Sequence, residues 1–291
     1  MSRLFTLLQY LLPHHLLSAI MYKITRIEWV PLKNYMIRRV IALYNVDMAD
    51  AVESHPESYA SFNEFFTRAL KPEARPVAEG DDIACPADGQ VSQAGDIRDG
   101  RIFQAKNHSY SLLELLGGNQ PLADLFSEGK FATIYLSPRD YHRIHMPLSG
   151  ELQSMVHVPG RLFSVNQATT HDVPRLFARN ERLVTIFQTA AGPMAVILVG
   201  AIFVSSIDTV WAGTITPEHN RLTYWQYQQA QPVLLSKGHE MGRFNMGSTV
   251  IVLLPQGAAD WNDSLVPGEH VRMGQAIGSL ASETPGIETE T

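Results

Sequence analysis

The apolar residues of this chain follow two regimes. In the first seventy or so positions they recur at helical spacing; after Pro76 they gather into short runs separated by Gly, Pro and Asp. Leu4, Leu7, Leu8, Leu11 and Leu12 form an i, i+3, i+4, i+7, i+8 stripe. Met36, Ile37, Val40, Ile41 and Tyr44 form a second, with Arg38 and Arg39 between its apolar positions. Two or three short amphipathic helices are expected there. Ser61 to Arg68 reads as another short helix, followed by a Pro-punctuated linker from Lys71 to Pro76. Ala195 to Ser205 (AVILVGAIFVS) predicts a buried strand or strand pair interrupted at Gly200, and Thr249 to Leu254 (TVIVLL) a buried strand stopped by Pro255. Turn signatures at Ala87-Asp88-Gly89, Pro147-Leu148-Ser149-Gly150, Val158-Pro159-Gly160 and Val266-Pro267-Gly268-Glu269 suit short antiparallel strands. Leu112 to Leu116 and Val173 to Ala178 read as the remaining short helices. The fold class is therefore α+β: a β-rich, sandwich- or barrel-like body over 51–291, with short amphipathic helices in residues 1–50.

The N-terminal stripe raises the question of a membrane. Leu4 to Tyr22 lacks Asp, Glu, Lys and Arg over 19 residues, near the length of a span. Pro13-His14-His15 in its middle would break the helix and place two imidazoles at mid-bilayer. No A-x-A-like cleavage site follows, so a signal peptide also fits poorly. Two readings stay open on the pattern alone: helices lying flat in a headgroup layer, or helices packed on the protein's own core. Charge bears on the choice. The formal net charge is −6, yet residues 1–47 hold Arg3, Lys23, Arg26, Lys33, Arg38 and Arg39 against Glu28 and Asp47. A basic segment on an acidic body suits an anionic surface, and the acidic body argues against nucleic acid as a partner. The single cysteine, Cys85, excludes a disulfide framework and any multi-cysteine metal site; it reads as a small buried apolar residue. Val266 to Gly278 (VPGEHVRMGQAIG) is similar to lipoyl- and biotinyl-type domains, but it offers no hairpin-tip lysine to carry a cofactor.

Three local patterns could carry chemistry: Gly242-Arg243-Phe244-Asn245-Met246-Gly247-Ser248-Thr249, running into the buried strand; Ser137-Pro138-Arg139-Asp140-Tyr141-His142-Arg143-Ile144-His145-Met146-Pro147; and Pro86-Ala87-Asp88-Gly89. Each has an ordinary structural explanation, since Gly-Ser before a strand and Asp-Gly are common turns. Taken together, and with Phe62-Asn63-Glu64-Phe65-Phe66, the 176–182 segment and the 210–217 segment, they resemble the phosphatidylserine decarboxylase family. The resemblance covers most of residues 1–280. Met246 stands where many members carry Leu, and Asn107 where the family often has Gly.

The resemblance implies a self-cleaving enzyme that decarboxylates phosphatidylserine to phosphatidylethanolamine. Ser248 would attack the Gly247 carbonyl, and the chain would part into a β chain, 1–247, and an α chain, 248–291. A pyruvoyl group made from Ser248 would then hold the substrate as a Schiff base. The same resemblance assigns His145 as the base and Asp88 as its orienting carboxylate, the arrangement of a Ser-His-Asp triad. It gives His142 a part in the decarboxylation step. It also implies a homodimer, peripheral on the cytoplasmic side of the cell membrane and acting on phosphatidylserine in an anionic bilayer. No metal is expected: on a strand, His142 and His145 would face opposite sides. The alternative function is a Ser-His-Asp hydrolase, although Gly-Ser-Thr lacks the second glycine of a G-x-S-x-G elbow.

Overall fold

Prolines and capping residues cut the N-terminal region into separate helices. In the computed structural model, which describes residues 9–105, 108–203, 206–215, 221–227 and 231–281, Pro13 stands at the N-cap of α1 (His14–Thr25). Helix α2 (Val30–Tyr44) has proline in its first turn, where a missing N–H costs nothing, and ends at Asn45 in a left-handed conformation. The start of helix α3 (Phe62–Phe66) is fixed by its capping: Ser61 Oγ accepts from Glu64 N, and the Glu64 carboxylate accepts from Ala60 N.

These helices build a small core of their own. Ile37 is fully buried and packs with Val46, Tyr59, Phe62, Phe65 and Phe66, while Met36, Val40 and Ile41 lean on the same cluster. So the second predicted stripe faces the protein and not the outside, Tyr44 excepted. The other side of α2 exposes apolar surface at Tyr35 and Leu43, with Trp29 at its N-cap; Leu11, Leu16 and Ile20, earlier in the chain, are exposed as well. Two of the basic residues also turn inward. Lys33 is buried and donates to the Glu57 carbonyl, and Arg26 reaches Ser206 Oγ. The cluster draws residues from both sides of position 50. Leu4, Leu7 and Leu8 of the first stripe lie outside the described residues, as does Asn107.

The body is an open antiparallel sheet in the order Thr223–Gln226, Gly150–Val158, Arg182–Thr189, Gly192–Gly200, Ser248–Leu254, Lys130–Leu136, Gly89–Asp96 and His270–Val271. Its middle strands are buried on both faces, which explains why Ser248–Leu254 and Gly192–Gly200 read as nearly continuous apolar runs. A second sheet runs Gly213–Ile215, Ile207–Thr209, Glu240–Phe244 and Arg143–His145; a third, smaller one joins Asp82–Ala84, Ala276–Leu280 and Ala259–Trp261. The α+β class holds, and the described sheets do not close into a barrel.

One predicted helix is displaced. Of the expected 173–178 helix, 173–175 is a break after Gln167–Asp172, and only Leu176 to Ala178 are helical, as part of Leu176–Arg179. Pro174 keeps Val173 out of the helical region, and Arg175 takes a left-handed φ of 57°. Cys85 is buried as expected; burial pushes its thiol up to about 12, and its S–H donates to the Ala87 carbonyl.

Candidate active site

Ser248 is the first residue of its strand and sits in the middle of the central sheet, paired with Leu136 on one side and Gly200 on the other. It is fully buried, and its Oγ has no hydrogen-bond partner. Leaving a buried hydroxyl unpaired costs about 1–3 kcal/mol, so such an atom asks for an explanation. An open hydrolase nucleophile would need solvent access that this hydroxyl lacks.

The chain reaches Ser248 by changing sheets. Glu240–Phe244 belongs to the four-stranded sheet, Ser248–Leu254 to the central one, and Asn245-Met246-Gly247 makes the crossing. Gly247 has a φ of +31°, and a Cβ placed there would meet nothing within 4 Å; the backbone conformation, not crowding, favours glycine. Met246 adopts a φ of +96° while carrying a side chain.

His145 ends the neighbouring strand of the four-stranded sheet, Arg143–His145, and His142 immediately precedes that strand. His145 pairs with Glu240, and the carbonyl of His142 accepts from Phe244 N. The His142 ring is fully buried against Phe66, with centroids 4.1 Å apart. Its Nδ1 donates to the Asp140 carbonyl at 2.8 Å, which leaves Nε2 as an unprotonated nitrogen without a partner. Burial lowers its pKa to about 3, against the Asp140 hydrogen bond and with help from the Arg68 charge. His145 donates from Nδ1 to the Gly238 carbonyl at 2.8 Å and takes the Tyr141 hydroxyl on Nε2 at 3.0 Å. Burial lowers its pKa as well, so both imidazoles are neutral bases near neutral pH. Tyr141, pushed up to about 12 by burial, stays a donor.

Asp88 is not hydrogen-bonded to His145. Its carboxylate takes Arg75 through Nε and Nη2, at 2.9 and 2.6 Å, and the Met273 N–H at 2.8 Å. Arg75 reaches on to Asp50 at 2.7 Å, and these two carboxylates raise the guanidinium pKa further. Of the expected Asp-His-Ser relay, neither hydrogen-bonded link is present; Asp88 reaches His145 only as a nearby charge. A cavity of about 270 Å³ opens beside Asp88, Tyr141, Arg68 and Arg75. A wider one, of about 620 Å³, lies between the end of α2 (Leu43, Tyr44) and Tyr135, Asp140 and His270. Among the described residues, no three His, Cys, Asp or Glu side chains are grouped to hold a metal ion.

Reading the sequence singled out Asp88, His142, His145, Gly247 and Ser248. It passed over Arg75, Tyr141, Asn63 and Asn245. Tyr141 and Asn245 lie inside recognised motifs, but nothing local marked what they contact. Arg75 lies in what reads as a linker, and only the folded chain brings it to Asp88.

Comparison with known proteins bears on what this site does. A family profile described as phosphatidylserine decarboxylase matches residues 62–279, and a second, described only as PSD, matches residues 4–45. A protein of Azotobacter vinelandii named phosphatidylserine decarboxylase proenzyme is 54% identical over 96% of this chain and 99% of its own length. Proteins of the same name from Methylococcus capsulatus and Bordetella pertussis are 55% and 54% identical, over 95% and 97% of this chain and 96% of their own lengths.

Proposed function

The chain belongs to the phosphatidylserine decarboxylase family, and we propose that it converts phosphatidylserine to phosphatidylethanolamine and CO2 after cutting itself between Gly247 and Ser248. The relatives' name, proenzyme, supports a precursor that matures by cleavage. The observation that carries the reading is Ser248 Oγ: buried, unpartnered and preceded by two successive positive φ angles.

In the cut, Ser248 Oγ bonds to the Gly247 carbonyl carbon, the Gly247–Ser248 C–N bond breaks, and the hydroxyl proton passes to the Ser248 nitrogen. Loss of the Ser248 α-proton then expels the Gly247 carboxylate from Cβ. Addition of one water and departure of ammonia leave residues 1–247 and 248–291, the latter beginning with a pyruvoyl group. A serine hydroxyl needs a base for the first step. His145, held neutral by burial, takes that proton, and the Asp88 charge favours the imidazolium that forms.

Residue 248 suits a pyruvoyl group because its side chain already occupies a dry site without partners, in a strand paired on both sides. There the group supplies the electron sink that losing CO2 from an α-amino acid requires. His142 Nε2 takes the proton that the substrate ammonium must lose and returns it to the carbon that CO2 leaves. The cavity beside Leu43, Tyr44 and Tyr135 gives the headgroup an entrance from the helical side.

No described helix is long and apolar enough to cross a membrane. The exposed apolar side of α2, with Lys23, Arg38 and Arg39 nearby, supports peripheral docking on an anionic leaflet, the cytoplasmic face of the cell membrane.

Intact-mass measurement of the purified protein tests the reading. Two fragments meeting at Gly247/Ser248 are expected, the smaller bearing a pyruvoyl mass and reduced onto phosphatidylserine by borohydride. Full decarboxylase activity in a single uncut chain would refute it.

A further inference from the structure

The turn before Ser248 is held in a conformation its residues do not favour. The ordinary left-handed well lies near φ of about +50 to +70°, and, among the described residues, the other non-glycine positions with positive φ, Asn45, Asp99, Arg175 and Phe203, fall between 51° and 70°. Met246, at +96°, lies outside that well. A side chain persists there only where its surroundings over-determine the backbone.

The surroundings that do so are on both sides of the turn. Asn245 is buried, with its N–H on the Ser206 carbonyl at 3.0 Å and its Nδ2 on Ser206 Oγ at 2.7 Å. Its Oδ1 accepts from Asn63 Nδ2, on α3, at 2.9 Å. The Met246 side chain packs into the small aromatic cluster that α2 and α3 build around Phe62, Phe65 and Phe66. On the far side, Ser248 is fixed in the central sheet by Leu136 and Gly200. Met246 and Gly247 thus span two anchored residues, Asn245 and Ser248. Cutting the Gly247–Ser248 bond makes Gly247 a chain end and frees the turn.

We propose that Asn63 and Asn245 are positioning residues for self-cleavage, and that with the aromatic cluster they clamp Met246 in a strained backbone whose relaxation speeds the cut. This rests on the proposed cleavage at Gly247–Ser248. The step itself is an isomerisation: one C–O bond forms, one C–N bond breaks, a proton moves from Oγ to nitrogen, and no oxidant or co-reactant is needed. The clamp is supplied largely by the N-terminal helices, so docking of α3 becomes a condition for maturation.

Comparing Met246→Gly with Met246→Ala isolates the strain, because both lose the side-chain packing and only glycine removes the penalty for positive φ. In a Ser248→Ala background, which cannot cut, the Gly variant should melt at the higher temperature. With Ser248 restored and protein made by cell-free synthesis, the same Gly variant should release the 248–291 fragment about tenfold more slowly than the Ala variant. Greater stability with slower cleavage is a pairing that a merely structural role does not produce. Asn63→Ala should also slow release, with little further slowing when combined with Met246→Gly. A Gly variant that cuts as fast as the Ala variant overturns the clamp alone. Absence of the fragment from the unaltered chain overturns the clamp and the cleavage reading together.

Discussion

Nε2 of His145 lies 3.0 Å from the Tyr141 hydroxyl, the position in which a base would receive a proton. A donor on that lone pair stabilises the neutral ring and makes it a weaker base, adding to the burial that already lowers its pKa below 6.5. Self-cleavage should therefore be lost on the acid side, with the midpoint of the fall below 6.5. Tyr141→Phe should move that acid limb toward higher pH. Fragment release followed by mass spectrometry across pH checks both; a limb that Tyr141→Phe leaves in place excludes His145 as the titrating base.

The two histidines should separate in their effects. His145→Ala is expected to stall cleavage and leave the full-length chain, whereas His142→Ala should cleave and then turn over poorly. Equal defects in both steps for both variants would defeat the division of roles. A stability effect accompanies His142, whose burial brings its folded pKa to about 3, below the ordinary 6.5. Below 6.5 the unfolded chain binds a proton that the folded chain does not, so stability falls as pH drops from 6.5 toward 3. In urea unfolding of the Ser248→Ala chain, His142→Gln should flatten that part of the profile.

Arg75 ties Asp88, in the turn just before the central-sheet strand Gly89–Asp96, to Asp50, beside the helices. Arg75→Ala leaves Asp88 buried without its cation and should cost about 3 kcal/mol. The Arg75 hydrogen bond holds the Asp50 carboxyl below 3.8, so the share of this contribution that comes from the Arg75–Asp50 pair is present above that pH and is lost as pH falls through the lowered value. Denaturant midpoints of the variant and its parent should accordingly converge in acid. An unchanged midpoint at neutral pH would show that Arg75 is dispensable.

The outer side of α2 predicts the membrane contact. Trp29→Ser with Leu43→Ser should weaken binding to phosphatidylserine-containing vesicles by about tenfold or more without lowering the melting temperature. Ile37→Ser, aimed at the inner side, should instead unfold the helical cluster. Vesicle sedimentation and thermal melts together decide this; vesicle binding unaffected by the outer pair would place the contact elsewhere.

Where neighbouring residues decide the outcome, the sequence was sufficient. Ser61 and Glu64 start α3 by local hydrogen bonds, Pro255 follows the end of a strand that begins at Ser248, and the motifs around Asp88, His142, His145 and Ser248 carried the family resemblance. Tertiary structure decided what depends on long-range partners. Apolar residues lie on two sides of α2, and only the position of Phe62, Phe65 and Phe66 selects Ile37 as the buried side. A carboxylate accepts any nearby donor, so that Asp88 binds Arg75 and not His145 follows from where the linker is laid down. The φ of Met246 is likewise no property of methionine. It is imposed by Asn63, Ser206 and a sheet anchored on either side, which are close to it only once the chain has folded.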